Sequence, residues 1–223
     1  MYTGVKEFLN RFKEPFDSVA VGKKIAKKNN SNAKDETDKL NNDFAFKTDR
    51  GIKFDTIIKS TYKDAVVEEH LNTGHKDYSS VNNKLLNNSL YLDKTITLDK
   101  YKIVGVVDKV EVTNNIIKVT DFKTFDNPKI LPYISNNGFT NYEKFKQPIN
   151  HIYYTNLQYG FLQCSLYMYI IWQNNKTLKP SKEVYIENYI LNEDLSIKKK
   201  EIFTHPYMRD EVVSLLKTIE LDT

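Results

Sequence analysis

The sequence predicts a mixed α/β domain in which a central β-sheet is flanked by helices. Three observations carry that expectation. Residues 105–124, GVVDKVEVTNNIIKVTDFKT, alternate apolar and polar side chains, break at Asn114-Asn115 and alternate again, as a half-buried hairpin does. Residues 156–172 form a long, mostly apolar run that reads as a buried helix. Two further strand-like segments, 183–191 and 196–203, surround Asn192-Glu193-Asp194. Helices, strands, helix, strands and helix follow one another, the order of a sheet layered with helices. At 223 residues the chain is most simply one domain, 1–223, long enough for a substantial core.

Val5, Phe8, Leu9 and Phe12 recur at helical spacing and predict a short amphipathic helix. Pro15 stops it, and Asp17 or Ser18 caps a second helix through Lys28, whose KKIAKK run reads as a solvated face. Residues 29–43, NNSNAKDETDKLNND, are the most polar stretch and read as a loop or flexible excursion. From Asp49 to about His70 the pattern is helical again. Residues 91–112 are strand-like, with Thr95, Ile96, Thr97, Ile103, Val104 and Val106 all β-formers. Pro128, Pro132, Gly138 and Pro148 assign residues 125–152 mostly to loop. There Phe139, Tyr142 and Phe145, among Lys144 and Lys146 and followed by Tyr153-Tyr154, read first as loop anchors and second as a platform for single-stranded bases. Lys198, Lys199 and Lys200 fall on an edge strand, where lysine discourages edge-to-edge pairing. The last segment, YMRDEVVSLLKTIEL, is an amphipathic helix.

Composition narrows the class. Hydrophobic residues make up 40% and charged ones 28%, as in ordinary globular proteins, and the net charge of +4 is only mildly basic. The lone Cys164 excludes an intrachain disulfide and fits a reducing compartment. No apolar run approaches the roughly 20 residues of a membrane span, and the first residues lack the apolar core of a secretory signal. The expectation is a soluble cytoplasmic protein without a membrane partner. His70, His75, His151 and His205 have no metal-site spacing, and no phosphate-binding glycine loop or four-cysteine set is present.

A two-residue turn at Asn114-Asn115, where asparagine tolerates positive φ, fixes the hairpin register. Thr113 then faces Ile116, Val112 faces Ile117, Val110 faces Val119, and Asp108 faces Asp121; on the other face Glu111 meets Lys118 and Lys109 meets Thr120. One face is apolar and the other carries an opposite-charge pair. Asp108 and Asp121 lie side by side on the apolar face, Cβ atoms about 4.5–5.5 Å apart, with Lys123 two residues along. Like charges in such a site repel, and hard carboxylate oxygens at this spacing suit Mg²⁺ or Mn²⁺. The plainer alternative points both acids to solvent at a strand end.

Gly105-x-x-Asp108, a strand-length gap and Asp121-x-Lys123-Thr124 resemble the PD-(D/E)XK nuclease superfamily, above all its RecB-like and phage exonuclease branch. QCSLY supplies Gln163 and Tyr167 for that branch's Q-x-x-x-Y motif, and PINHIYYTNLQYGFLQCSLYMYII and the opening YTGVKEFLNRFKEPFD are similar to segments of its phage members. On a helix Asn156, Gly160, Gln163 and Tyr167 share one stripe. RGIKFD resembles the branch's R-G-x-x-(apolar)-His helix but has Asp55 where histidine is expected, with Glu68 or Glu69 as substitutes. Val107 stands where the family name has proline.

The resemblance implies a restriction-endonuclease-like core and metal-dependent hydrolysis of DNA phosphodiesters by an exonuclease. Such an enzyme acts in phage-type recombination, repair or replication, in the host cytoplasm if phage-encoded. It implies that Asp108, Asp121, the Phe122 carbonyl and Asp55 hold Mg²⁺ or Mn²⁺, and that Lys123 works on the attacking water. Gln163, Tyr167, Thr124, Asn156 and Tyr159 are then expected to shape the site or touch DNA, single- or double-stranded, with a recombination or single-strand-binding protein as a further partner. A structure- or sequence-specific endonuclease on the same core, or a decayed nuclease that only binds DNA, are the alternatives.

Overall fold

The computed structural model describes residues 1–67, 78, 80–126, 128 and 143–221. The chain divides into two compact units, Met1–Glu14 with Lys63–Asn192 and Ser196–Thr223, and Pro15–Tyr62 with Glu193–Leu195.

The smaller unit is a helical pair, α2 (Ser18–Asn29) and α3 (Ala33–Lys59), with the Asp17 carboxylate capping α2 at the Ala20 amide. Residues 29–43 are therefore not the expected loop. Asn30 takes the left-handed conformation that ends α2, and the Asn32 side chain accepts from the Lys34 and Asp35 amides and starts α3. Asp35 and Glu36 in the first turn favour the positive end of the helix. Polarity here marks a solvated helix: most of α3 is exposed, and its ladder needs no apolar face to close. The helix also stops at Lys59, short of His70, where the Ser60 and Thr61 hydroxyls donate to the Ile57 and Ile58 carbonyls. Gly22 lets the two helices touch, since an added Cβ would lie 2.2 Å from Thr37 Oγ1.

The larger unit is a mixed sheet with helices, as expected. Its strands are β1 (Thr3–Gly4), β2 (Val66–Val67), β3 (Ser89–Leu98), β4 (Ile103–Thr113), β5 (Ile116–Lys123), β6 (Lys179–Pro180), β7 (Glu183–Leu191) and β8 (Ile197–Pro206). They run β2-β3-β4-β5-β7-β8, with β1 on β4 and β6 on β5. β3-β4, β4-β5 and β7-β8 are antiparallel, whereas β5 and β7 are parallel and joined through α4 (Asn156–Asn174). α1 (Val5–Asn10) and α5 (Arg209–Leu221) complete the unit. Among its described residues the long 125–152 connection is irregular, with one bridge between Lys144 and Tyr153, and Phe145 is buried in the core.

One apolar cluster joins Val5, Phe8 and Leu9 of α1, Ile117 and Val119 of β5, Val184 and Ile186 of β7, Val212, Leu215 and Leu216 of α5, and most of α4. α4 is apolar nearly all round because neighbours cover it nearly all round. Thr155 caps it by accepting from the Gln158 amide, so its first turn is fixed. No helix among the described residues is long and apolar enough to cross a membrane.

Candidate active site

The β4–β5 hairpin turns at Asn114 and Asn115, at φ 52° and 61°, and pairs Thr113 with Ile116 through Lys109 with Thr120 in the expected register. The ladder stops one rung before the expected Asp108–Asp121 pair. There the Asp108 side chain replaces a ladder bond, accepting from the Phe122 amide at 2.8 Å. β3 and β4 both change the face they turn to the core near this rung. Core side chains are odd-numbered at Ile103 and Val107 but even-numbered at Val110 and Val112, and on β3 they change from Tyr91 to Ile96 and Leu98. Asp93, at φ 52°, faces Asp108 across the interrupted pairing. Asp108 thus sits where its strand changes face, rather than on a uniform apolar row.

Asp121 and Lys123, two apart on β5, share the face on which α4 packs. The Lys123 ammonium is in ionic contact with Asp121 Oδ2, and the Asp121 residue is only 2% exposed. Burial pushes the Asp121 carboxyl up to about 6; Lys123 opposes that rise and Asp108 adds to it. Burial disfavours the Lys123 ammonium, but Asp121 and Asp108 outweigh it and hold its pKa above the ordinary lysine value. Negative charge is thus concentrated at a buried point with one lysine to balance it.

α4 supplies the wall. Gly160 brings the helix close, its Cβ position 2.7 Å from Ile186 Cδ1 and 4.0 Å from Lys123 Cε. One turn on, Gln163 Nε2 donates to the Tyr167 hydroxyl at 2.8 Å, both residues being buried. Burial, then Asp121 and Asp108, drive the Tyr167 phenol well above its usual range, so it stays protonated. Tyr167 also packs against Gly105, where a Cβ would fall 2.5 Å from its Cε1. The expected glycine and tyrosine therefore meet: the first makes room for the ring of the second. Tyr159 lies on the α1 side, its hydroxyl 3.1 Å from both the Lys6 carbonyl and Asn10 Oδ1.

Asp108, Asp121, Lys123, Tyr159, Gln163 and Tyr167 are thus brought together. Thr124 follows β5 directly and is half-buried, and Asn156 is exposed at the start of α4. Asp55 belongs to the smaller unit, where it pairs with Lys59 at 2.5 Å. Glu68 and Glu69 lie outside the described residues, as do His70, His75, Phe139 and Tyr142. Among the described residues no group of three or more His, Cys, Asp and Glu side chains forms a metal cluster. Cys164 is buried, and burial raises its thiol well above the usual value, which disfavours the reactive thiolate.

Two residues escaped the sequence reading. Asn188 on β7 pairs with Lys123 and grips the chain as it leaves β5: its Oδ1 accepts from the Phe125 amide at 2.7 Å, and its Nδ2 donates to the Phe125 carbonyl at 3.0 Å. The signal was present, since Asn188 follows Val184 and Ile186 at core-face spacing and is polar. Lys6 had no such signal; its charge acts on Asp121 only because α1 is folded against the site.

No protein-family model matches the chain, and no curated protein matches it. Among solved structures, the crystal structure of SSO0001 is similar over 62% of this chain and 50% of that one, at 16% identity and a TM-score of 0.28. This chain spans about half the length of that structure.

Proposed function

We propose that the protein is a metal-dependent deoxyribonuclease, and in particular an exonuclease that shortens linear DNA. The observation that carries the reading is the meeting of Asp108, Asp121 and Lys123 at one end of the β4–β5 hairpin, against the Gln163–Tyr167 pair. Closing the hairpin at the Phe122 amide requires of Asp108 only an acceptor and not a charge, and burial makes the Asp121 charge costly.

The donors fit a hard divalent cation. Asp108 and Asp121 are oxygen ligands whose mutual repulsion a cation relieves, and the Phe122 carbonyl between Asp121 and Lys123 is the natural third donor for Mg²⁺ or Mn²⁺. Such an ion, when bound, acidifies a water and stabilises charge on the phosphate.

The chain's own groups do the rest. Lys123, its ammonium kept charged, orients the attacking water and stabilises charge on the phosphate oxygens. The water oxygen bonds to phosphorus as the bond to the 3′ oxygen breaks; that oxygen takes up a proton, leaving 5′-phosphate and 3′-hydroxyl ends. Tyr167 and Gln163 hold the wall behind Lys123, and Tyr159 borders the path of the strand. A place in phage-type recombination, repair or replication accords with this chemistry.

The test is degradation of end-labelled linear single- and double-stranded DNA beside a closed circle, with Mg²⁺, Mn²⁺ or EDTA, and with Asp121→Ala in parallel. Loss of linear forms alone, abolished by EDTA and by the substitution, is expected. Cut circles would move the assignment to an endonuclease. Bound but uncut DNA under every metal would make the protein a binder.

A further inference from the structure

α1 is held against the catalytic end of the hairpin at two points. Val5 packs on Gly105, with Cγ2 2.9 Å from where a Cβ would stand, three residues before Asp108. Tyr159, next to the glycine that approaches Lys123, places its hydroxyl 3.1 Å from the Lys6 carbonyl and 3.1 Å from Asn10 Oδ1 and donates between them. The backbone of Lys6 is therefore fixed by the same helical turn that covers Lys123.

The side chain of Lys6 is exposed, and no salt bridge among the described residues engages it. Lys13, further along the same segment, is already occupied by aromatic faces, its ammonium 5.1 Å from the Tyr159 ring centre and 5.8 Å from that of Tyr154. Lys6 is thus an exposed cation on this side of the acids, on a fixed backbone. A surface lysine in general has no such anchorage.

We infer that Lys6 is a substrate-binding residue that holds a phosphate of the DNA strand flanking the one presented to Asp108, Asp121 and Lys123, with Tyr159 as its brace. The inference rests on the nuclease reading for its substrate, but its contact is with the DNA backbone and does not require cleavage. A compact ammonium suits it, because backbone phosphates are recognised by charge and not by base identity.

The experiment is fluorescence anisotropy of a labelled single-stranded oligodeoxynucleotide over a salt series in EDTA, with wild type, Lys6→Met and Lys6→Arg. Lys6→Met is expected to weaken binding about fivefold at low salt and to make the slope of log K against log salt shallower by about 0.7, one lost phosphate contact. Lys6→Arg should restore both, with melting temperatures alike in all three. In the cleavage assay the loss should fall on KM more than on kcat. Unchanged affinity and slope in Lys6→Met would overturn the inference even if wild type cleaves DNA. A wild type that binds in this Lys6-dependent way but never cleaves would sink the nuclease reading and leave the contact standing. Absence of any binding to DNA would remove both.

Discussion

Asp108 Oδ2 accepts the Phe122 amide hydrogen at 2.8 Å, so a side chain completes the hairpin where the backbone ladder ends. The acid thus has two separable tasks, closing the strand pair and carrying charge. Asp108→Asn keeps a carbonyl acceptor and is expected to keep wild-type stability. Asp108→Ala strands the amide and should cost about 1–2 kcal/mol in denaturant unfolding. Both should lose cleavage by about 100-fold or more. An Asn variant that cleaves normally would remove Asp108 from the chemistry.

Gly105 is set by Tyr167 and Val5, whose atoms lie 2.5 Å and 2.9 Å from the place of a Cβ. Gly105→Ala forces the tyrosine ring or α1 to move, and overpacking of this kind costs about 1–3 kcal/mol. A lowered melting temperature together with reduced activity is expected, because the displaced ring is part of the site wall. Wild-type values in both would show that the packing yields freely.

Tyr167→Phe keeps the ring but removes the acceptor for Gln163 Nε2, a buried donor. Leaving that amide unpaired should destabilise the fold by about 1–2 kcal/mol by urea unfolding. Adding Gln163→Leu in the same chain should recover part of the loss, since the orphaned polar group is then gone.

Asn188→Ala releases the Phe125 backbone at both its amide and its carbonyl. We expect about 1–3 kcal/mol lower stability and a fall in kcat, because Lys123 sits two residues before the released point. Stability and kcat both unchanged would refute the clamp.

Glu187 provides the pH dependence. Its carboxylate accepts from Lys109 at 2.7 Å and Tyr189 at 2.6 Å and pairs with Lys200 at 2.7 Å. Burial alone would raise its pKa, but these partners outweigh burial and hold it down to about 2 from 4.5. A depressed acid contributes stability that is complete above pH 4.5 and is lost as pH falls towards 2. The loss is on the order of 3 kcal/mol. Glu187→Gln should flatten urea midpoints across that window while lowering stability at pH 7, where the buried Lys109 loses the carboxylate 2.7 Å from its ammonium. An equally steep acid limb in the variant would deny Glu187 that role.

Lysine at 200 illustrates how local and tertiary causes combine. Its place on an edge strand was legible from the pattern, but its pairing with Glu187 and its position 5.3 Å from the Tyr189 ring centre belong to the sheet. The polar 29–43 stretch shows the opposite error. Low hydrophobicity argued for loop, whereas the Asn32 cap and continuous backbone hydrogen bonding make most of it helix.

The mixed α/β class, the Asn114-Asn115 turn, the register of its hairpin, the placing of Asp121 and Lys123 on one face, and α4 as a buried helix are all legible in the order of the residues. These follow from period, turn chemistry and polarity, which act within a few residues. It takes the folded chain to show that the ladder ends at Lys109 and Thr120, that Asp108 bonds the Phe122 amide, that Tyr167 rests on Gly105, and that Asn188 and Lys6 border the site. Each of those depends on how closely segments distant in the chain approach, and that distance is set by packing, to which a one-dimensional pattern is blind.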